Sequence, residues 1–431
     1  MDKRYATLSL ASLLVMPSAP AWAAGFQLAE HSAAGLGRAN AGEAAIADSA
    51  AVLAHNSAAI TRFSEAQISV GSAYIAPQVR VTGNGPSESF NQQLTNNDVV
   101  DDVIVPSAYF SMPINESWHW GIGLFTDFGL MTEYPKDYLA GPIAGKTSLK
   151  TMNINPNVAY KVNDSVSVSV GASAVYADAE LERTLGILAD ALNSGYGTSY
   201  NRTDIATSLK GDGWGYGFNL GLLWELNEHH RFGLSYRSKV DITLKGDYTT
   251  DVPVPNGIIT QPGQTVGGEL ELNLPSIAEF SGYHQVTDPL ALHYSVVMTG
   301  WSTFEEIRGT VNGVTVMQKD EKFEDSFKYA LGLTYGVSSA VTLRTGIAFD
   351  QTPNVNHPSI SLPDSDRMNY SVGASYAFSD STWLDFGFSF IDAKETTFSE
   401  ELEPESLPGT TLDFKSEGDA YLYALQFNHR F

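Results

Sequence analysis

Alternation of apolar and polar residues with a period of two is the dominant pattern along this chain. Between Trp214 and Leu226 the even positions are aromatic or aliphatic, whereas the odd positions are mostly glycine, asparagine or glutamate. The end of the chain, from Tyr421 to Phe431, alternates in the same way. Because successive side chains of a strand point to opposite faces, each segment has one greasy face and one polar face. This pattern predicts strands that contact lipid on one side and a polar interior on the other.

Similar segments recur along the whole chain. The clear ones are Ile68 to Tyr74, Trp118 to Leu124, Val166 to Tyr176, Phe232 to Leu244, Leu292 to Met298, Phe327 to Tyr335, Val341 to Phe349, Tyr370 to Phe378 and Leu384 to Phe390. Weaker ones are Ile104 to Met112, Met152 to Tyr160 and Leu270 to Tyr283. We count about fourteen strands, and an even number is typical of bacterial barrels. The fold class is therefore all-β, a transmembrane β-barrel of about 14 antiparallel strands. A soluble β-sandwich, the alternative, does not need strands of ten or more residues.

The segment from Phe232 to Leu244 places five charged residues on one face. They are Arg231, Arg237, Lys239, Asp241 and Lys245. So many charges on one face of a strand predict a wet lumen behind it. The turn before this strand, Asn227 to His230, is short, as expected on the periplasmic side.

The beginning of the chain has the features of a secretion signal. Lys3 and Arg4 precede an apolar run from Ala6 to Val15, and Ala21-Trp22-Ala23 supplies small residues for a signal peptidase. We expect residues 1–23 to be removed and the mature protein to begin at Ala24. The apolar run is shorter than the roughly 20 residues that a membrane helix needs. With the barrel pattern, this predicts the outer membrane of a Gram-negative bacterium.

Two regions do not resemble barrel wall. Residues 24–65 are rich in alanine, glycine and serine, which predicts an N-terminal hatch that plugs the lumen of a barrel formed by 66–431. The largest excursion, 177–213, lies between two strong strands and carries Leu181, Leu185, Leu188 and Leu192 at helical spacing. We expect an amphipathic helix on an external loop there. On a soluble protein this stripe would be core, but Leu185, Leu188 and Leu192 on an exposed loop would form a greasy capture surface.

Composition excludes several classes of function. The net charge of −24 would repel nucleic acid, and the absence of cysteine excludes thiolate chemistry. Much of the acidic charge falls in expected loops, where solvated carboxylates are the simple interpretation and divalent-cation bridging to lipopolysaccharide is the alternative. These acids are Asp98, Asp101, Asp102, Glu400, Glu401, Glu403 and Glu405.

Catalytic motifs are missing from the sequence. It contains no G-x-S-x-G elbow and no H-E-x-x-H pair, so we expect no enzyme, no cofactor and no metal site. The pair His229 and His230 lies in the short turn, where solvated histidines are expected. An outer-membrane lipase or protease, a phage receptor and a porin for hydrophilic solutes remain alternatives from other classes, although a plug would block a continuous water path.

Short motifs spread over the chain resemble the FadL family of outer-membrane long-chain fatty acid transporters. They are Ala24-Gly25-Phe26-Gln27-Leu28, Gly35-Leu36-Gly37-Arg38-Ala39, Gly42-Glu43-Ala44-Ala45-Ile46-Ala47-Asp48, Phe128-Gly129-Leu130, Leu181-Glu182-Arg183, Asn273-Leu274-Pro275, Ser281-Gly282-Tyr283, Arg344-Thr345-Gly346-Ile347-Ala348-Phe349-Asp350 and Ser361-Leu362-Pro363-Asp364. The resemblance implies fourteen strands, an N-terminal hatch, a greasy groove among external loops and a deeper ligand pocket. It also implies passive uptake of a long-chain fatty acid or another hydrophobic small molecule.

The resemblance assigns roles to particular residues. Arg183 and Lys319 match the cationic positions that meet the fatty acid head group, and Phe26 and Leu181 match apolar contacts. Asp127, Phe128 and Gly129 match a kink in the third strand through which ligand leaves sideways into the membrane. Glycine tolerates such a bend because it lacks a Cβ. The alternatives are that this glycine only eases barrel curvature, and that the two cations pair with Glu182 or Asp320 and merely hold loops.

Two departures from the family pattern leave the ligand open. Asn56-Ser57-Ala58 stands where Asn-Pro-Ala is usual, and Asp127 stands where an uncharged polar residue is frequent at the kink. The acid could disfavour anionic ligands, so a channel for uncharged aromatic or aliphatic hydrocarbons is the alternative function. We expect a monomer surrounded by outer-membrane lipid and lipopolysaccharide.

Overall fold

A single sheet that closes on itself forms the body of the protein. The computed structural model describes residues 25–253, 261–402 and 411–431, so the expected signal peptide, Ala24, Glu403 and Glu405 lie outside the described residues. The sheet has nineteen strand segments, and the first pairs with the last in antiparallel register from Gln67↔Arg430 to Gly83↔Phe414. This pairing closes the barrel and removes the free edges that an open sheet would have.

The nineteen segments make fourteen wall strands. The segments are β1 (Gln67–Gly83), β2 (Val103–Pro113), β3 (Trp118–Phe125), β4 (Gly129–Glu133), β5 (Gly145–Lys161), β6 (Val166–Thr184), β7 (Ile205–Asn227), β8 (His230–Arg237), β9 (Val240–Thr250), β10 (Gln264–Leu274), β11 (Ile277–Thr287), β12 (Leu290–Thr299), β13 (Glu306–Val311), β14 (Val314–Asp320), β15 (Ser326–Gly336), β16 (Val341–Asp350), β17 (Arg367–Ser379), β18 (Thr382–Glu401) and β19 (Thr411–Arg430). Five wall strands are interrupted once, namely β3 with β4, β8 with β9, β10 with β11, β12 with β13, and β14 with β15. The predicted fourteen-stranded antiparallel barrel is confirmed.

The two faces of the strands fall where the alternation predicts. On β19, Phe427 is 44% exposed, whereas its neighbour Asn428 is 0% exposed and points into the lumen. Trp214, Tyr216 and Phe218 on β7 are likewise exposed. The outward rings and aliphatic chains form the surface that lipid covers.

The predicted strand from Phe232 to Leu244 inverts its faces midway. Arg231 and Arg237 on β8 are buried as expected, but Lys239 between β8 and β9 is exposed, as are Asp241 and Lys245 on β9. Conversely, Val240, Ile242 and Leu244 are buried. The expectation that all five charges line the lumen is therefore wrong. Two residues separate β8 from β9, and Ser238 Oγ accepts a hydrogen bond of 2.9 Å from the Phe218 backbone N–H, so the alternation shifts by one. Along β9, polar side chains therefore face outward and apolar side chains face the lumen.

The excursion between β6 and β7 is shorter than the sequence suggested. Strand β6 continues to Thr184 and β7 begins at Ile205, so both ends of 177–213 belong to the wall and only 185–204 lie outside it. The helix α3 (Ile187–Tyr196) carries Leu188 and Leu192, while Leu181 belongs to β6 and Leu185 precedes the helix. The expected four-leucine helical stripe is therefore wrong. Leu181 lies on the same buried face of β6 as Ala177 and Ala179, which are spaced two residues apart. The same leucine also fits a helical spacing with the leucines that follow, so the sequence pattern was ambiguous here.

The segment before β1 lies buried inside the barrel, which confirms the predicted hatch. It contains α1 (Ala33–Leu36) and two 3-10 helices, Ala50–Ala54 and Ser57–Arg62. Ser32, Ser49 and Asn56 cap these turns with side-chain oxygens, which satisfies backbone N–H groups that lack helical partners. In an external loop, α2 spans Glu88–Gln93, and a 3-10 turn spans Trp301–Thr303 in the interruption between β12 and β13. In the described ranges, no helix is long and apolar enough to cross a membrane.

Glycines of the wall make room for the hatch. A Cβ on Gly233 would collide with the Ala44 carbonyl, and one on Gly346 would collide with the Arg38 carbonyl. Gly387 faces the Ala33 carbonyl at similarly close range. The hatch backbone therefore packs directly against the wall backbone.

Candidate ligand pocket and lateral opening

Lys319, a predicted head-group cation, lies largely buried at the end of β14, with 11% of its side chain exposed. Its Nζ donates to Ser361 Oγ at 2.8 Å and to Glu400 Oε1 at 3.1 Å, and Glu321 Oε1 lies 3.6 Å away. It also donates to Ser359 Oγ. A buried ammonium needs such partners because its desolvation is costly.

Arg183, the second predicted cation, is buried on β6. Its guanidinium donates to the Glu182 carbonyl at 3.0 Å, the Lys146 carbonyl at 3.1 Å and Thr147 Oγ1 at 3.1 Å. Arg183 thus forms a hydrogen bond to the backbone carbonyl of Glu182. The Glu182 carboxylate lies 3.8 Å from Lys136 Nζ. Asp320 forms an ion pair with Lys322.

Glu321 links the two cations electrostatically. Its side chain is fully buried, and burial raises its carboxyl pKa to about 7, although the charges of Lys319 and Arg183 act in the opposite direction. A carboxyl with this pKa is partly protonated at neutral pH. Lys319 and Arg183 therefore face a Glu321 carboxyl that carries less than a full negative charge.

An apolar cluster lies inside the same part of the barrel. Phe26 packs edge-to-face on Trp301, with ring centroids 4.6 Å apart, and on Phe304 at 5.1 Å. The buried members of this cluster are Phe26, Phe128, Leu130, Leu149, Val175, Ala177, Ala179, Val240, Ile242, Leu244, Leu272, Leu274, Trp301, Phe304, Ile307, Phe323 and Leu362. Leu181 is also buried and shares a face of β6 with Arg183. Charged groups and an apolar lining together suit an amphiphilic ligand.

The predicted capture leucines face inward. Leu185 and Leu188 are 3% and 8% exposed, and they belong to an apolar cluster beneath the external loops that also contains Tyr134 and Tyr138. Leu192 packs partly buried against this cluster. The capture surface stays a prediction, and in this conformation its first two leucines are covered.

Three pocket residues escaped sequence reasoning. Glu400 was expected among solvated loop acids, but it is only 9% exposed and contacts Lys319, so that expectation is wrong for this residue. Ser359 and Ser361 flank Ile360, which is fully buried. The polar–apolar alternation of this short segment could have marked it as lining. The partnership with Glu400 spans 81 positions and leaves no local signal.

The third wall strand is broken at the predicted kink. Strand β3 ends at Phe125 and β4 begins at Gly129, so Asp127 and Phe128 lie in the interruption. The ladder between β2 and β3 runs from Pro113↔His119 to Ala108↔Leu124. Along the part of the chain that the structure describes, β4 pairs with β5 only. The wall therefore lacks strand pairing between β2 and β4.

The first residues of the hatch occupy this unpaired part of the wall, which we call the gap. The Leu28 N–H donates to the Asp127 carbonyl at 2.7 Å, and the Gly129 N–H donates to the Phe26 carbonyl at 2.9 Å. Gln27 and Phe128 form an antiparallel bridge between these bonds. A short strand-like segment of the hatch thus substitutes for the missing wall pairing.

Asp127 is buried at the edge of the gap. Its Oδ2 accepts a hydrogen bond of 3.0 Å from Asn153 Nδ2 and lies 3.6 Å from Arg237 Nε. Its Oδ1 lies 3.3 Å from His31 Nε2 of the hatch. The acid that sets this chain apart at the kink therefore has cationic and polar partners on both the wall and the hatch.

The substituted Asn56-Ser57-Ala58 turn is fixed without proline. Asn56 Oδ1 accepts a hydrogen bond of 3.1 Å from the Ala58 N–H, and Ser57 Oγ donates to Ser169 Oγ of the wall at 2.8 Å. The serine thus replaces a rigid ring with a direct bond to β6.

Comparison with known proteins identifies the family of this chain. Residues 14–431 match the family model described as "Outer membrane protein transport protein (OMPP1/FadL/TodX)". The chain is 39% identical to the "Long-chain fatty acid transport protein" of Escherichia coli O6:H1 over 443 residues, covering 98% of both chains. It is 40% identical to the "47 kDa outer membrane protein" of Pasteurella multocida over 438 residues, covering 99% of both.

A solved structure shares the whole architecture. The crystal structure of a FadL homologue from Pseudomonas aeruginosa superimposes with a TM-score of 0.85 at 23% identity, covering 95% of this chain and all of that one. At this identity the likeness concerns the fold alone.

Proposed function

The chain belongs to the OMPP1/FadL/TodX family of outer-membrane transport proteins, and from this premise we propose that it takes up long-chain fatty acids. The observation that supports this ligand is the pair of cations, buried Arg183 and largely buried Lys319, in a barrel whose interior also holds a large apolar cluster. An acid with a long hydrocarbon tail satisfies both parts of this lining, whereas an alkane satisfies only one.

The head group binds at Lys319 and Arg183. The Lys319 ammonium is held by two hydroxyls and one carboxylate, and a ligand carboxylate can replace the hydroxyls as the stronger acceptor. Proton uptake by Glu321 lets the site accept an additional negative charge, because burial already favours its neutral form. The acyl chain lies along the apolar cluster, where Phe26 and Leu181 are its nearest neighbours on the hatch and on β6.

Release occurs sideways through the gap between β2 and β4. Phe26 belongs to the apolar cluster, and its carbonyl accepts the hydrogen bond from Gly129. An acyl chain that displaces the Phe26 ring therefore also strains the pairing that fills the gap. Transport is passive, and its direction follows consumption of the ligand inside the cell.

Entry begins at the external loops. The aromatic and leucine cluster around Leu185 and Leu188 forms the apolar floor of these loops. The ligand reaches this cluster when α3 shifts and uncovers it. Burying the hydrocarbon tail there contributes about 0.8 kcal/mol per methylene, which favours this movement.

Binding of a long-chain fatty acid and an alkane of equal length to the refolded barrel tests the ligand. We expect the acid to bind at least about tenfold tighter, because a charge-assisted hydrogen bond contributes about 1.5–3 kcal/mol. Lys319→Ala and Arg183→Ala should each reduce this preference. Lys322→Ala is the matched control. Lys322 lies three residues after Lys319, is exposed and forms an ion pair with Asp320.

Equal binding of acid and alkane by all four proteins would contradict the proposal. It would instead support the channel for uncharged hydrocarbons, with Arg183 and Lys319 as structural cations. Thermal unfolding of each variant checks that lost binding does not reflect lost folding, since Glu400 loses a buried partner in Lys319→Ala.

A further inference from the structure

Asp127 joins three parts of the molecule at the gap. It lies in the break of the third wall strand, contacts Asn153 of β5 and Arg237 of β8, and reaches His31 of the hatch. The Asp127 residue is 5% exposed, as is His31. A buried carboxylate with these three partners stabilises their positions, because each partner loses a favourable electrostatic contact if it moves.

His31 continues this contact into a hydrogen-bonded chain. Its Nδ1 lies 3.3 Å from His55 Nε2, and His55 Nδ1 lies 2.9 Å from Glu279 Oε2 on β11. One protonation pattern satisfies every link. Protonated His55 donates to both Glu279 and His31, and His31 donates through Nε2 to the Thr126 carbonyl and to Asp127. The chain thus connects the third wall strand with β11 through the hatch.

The leading segment of the hatch, residues 25–32, has other attachments as well: the Gly25 N–H donates to Asp364 Oδ2 at 2.9 Å, and the His31 carbonyl accepts a hydrogen bond of 3.0 Å from the Tyr109 hydroxyl. Its backbone crosses the gap by the two hydrogen bonds of Leu28 and Phe26. Its side chains add Gln27 Oε1, which accepts from Thr299 Oγ1 at 2.6 Å, and the packing of Phe26 and Leu28. At the gap itself, the His31–Asp127 contact brings a buried carboxylate from the break of the third wall strand against the segment.

We propose that Asp127 is a positioning residue that holds the leading segment across the gap, so that lateral exit of the ligand requires His31 to leave its carboxylate. The inference rests on the proposed function, because it concerns the step by which bound ligand enters the membrane. It assigns Asp127 to control of exit and leaves capture of the ligand to the Arg183 and Lys319 pocket.

Release of a fluorescent long-chain fatty acid from the barrel into the surrounding bilayer of proteoliposomes tests this role. Asp127→Asn keeps the shape and removes the charge, and we expect release at least about tenfold faster, with equilibrium binding to the pocket changed less than about twofold. Asp127→Glu keeps the charge and should restore slow release. Asp212→Asn, the same change at an exposed position of β7, is the control.

The order of release rates among these variants distinguishes a positioning role of Asp127 from a packing role. A carboxylate that merely fills space is better replaced by asparagine than by the longer glutamate, so a packing role predicts the opposite order. If Asp127→Asn does not fold, His31→Gln breaks the same contact from the hatch side and should also speed release. Release at the wild-type rate in Asp127→Asn or in His31→Gln would overturn the inference.

A disulfide across the gap tests separately whether the segment must move. The chain has no cysteine, and Gln27 and Phe128 are directly paired without mutual hydrogen bonds, where Cα atoms lie about 4.5 Å apart. Oxidised Gln27→Cys with Phe128→Cys should bind ligand and release it at least about tenfold more slowly than the reduced form, with the single cysteine variants as controls. Equal rates in both forms would overturn the requirement for segment movement. Absence of fatty acid binding in every variant would instead contradict the proposed function.

Discussion

The base of the hatch, residues 33–63, and its leading segment, residues 25–32, are both buried inside the barrel, yet they are held in different ways. The base packs backbone against backbone on wall glycines such as Gly233 and Gly346. Its Arg38 also forms buried ion pairs with Glu43 at 2.6 Å and Asp48 at 2.8 Å. The leading segment crosses the gap on two backbone hydrogen bonds and the contact of His31 with Asp127.

The comparison shows that burial alone does not indicate which part of a plug is fixed. Close backbone packing leaves the base no room to shift, because packed interiors resist even small displacements. Hydrogen bonds and one charged contact can be exchanged for equivalent bonds to ligand or water at lower cost. Local opening should therefore begin in the leading segment.

Filling a wall glycine beneath the base should have the largest effect. In Gly233→Val the added Cβ meets the Ala44 carbonyl, so we expect the hatch to be expelled or the barrel to misfold, with a loss above about 4 kcal/mol. Gly267→Val is the control, because a Cβ there meets nothing within 4 Å. Urea unfolding of both variants provides the measurement. Equal stability of the two variants would show that close packing on wall glycines does not hold the base.

Removing the central arginine of the base should have the next largest effect. Arg38→Met removes the 2.6 Å ion pair of buried Glu43, which keeps only a longer contact with His55 Nε2 at 3.9 Å, and leaves Asp48 with Arg344 Nη2 at 3.8 Å. We expect a loss of about 3–5 kcal/mol, as for other broken buried pairs. Gln27→Ala in the leading segment removes one hydrogen bond and should cost about 1 kcal/mol. The distinction between the regions fails if the two losses are equal.

The two histidines should give the regions opposite pH dependence. In the leading segment, burial lowers the pKa of His31, which faces Asp127, His55 and Arg237, so its contribution to stability is present above about pH 6.5 and is lost on acidification. In the base, burial opposes a rise in the pKa of His55, but the charge of Glu279 raises it overall, with Glu43 assisting and Arg237 opposing. The stability from His55 is therefore complete below about pH 6.5 and is lost as pH rises through its higher folded pKa.

Urea midpoints measured against pH for His31→Gln and His55→Gln check this pair of expectations. The difference between wild type and His31→Gln should change on the acid side, and that between wild type and His55→Gln on the alkaline side. Changes on the same side for both variants would contradict the assignment.

The smallest effect should come from restoring the usual proline of the hatch. Asn56 has extended backbone angles (φ −140°, ψ 97°), which suit a residue before proline. Ser57→Pro should therefore fit the backbone. The variant loses the hydrogen bond to Ser169 but gains a fixed φ, and because these effects oppose each other its stability should change by less than about 1 kcal/mol. Ser57→Ala, which loses the bond without gaining the ring, separates the two terms. A large loss in Ser57→Pro would show that the base depends on this wall bond.

Sequence reasoning recovered what local periodicity encodes. The period of two located each wall strand, and the small residues before β1 predicted the hatch. It missed the face inversion at Ser238, because a two-residue break leaves both halves alternating correctly. It also missed Glu400 in the pocket and His31 at Asp127, since these contacts join residues far apart in the chain. The resemblance supplied Arg183 and Lys319, which alternation alone does not distinguish from other lumenal charges.

Hydrogen–deuterium exchange with and without saturating long-chain fatty acid tests most directly whether the leading segment moves while the base stays fixed. We predict faster exchange in peptides covering residues 25–32 and 126–130, where the Leu28 and Gly129 amides lose their partners, and unchanged protection in peptides covering 33–63. Ligand-induced exchange throughout 33–63, or none in 25–32 and 126–130, would contradict the account.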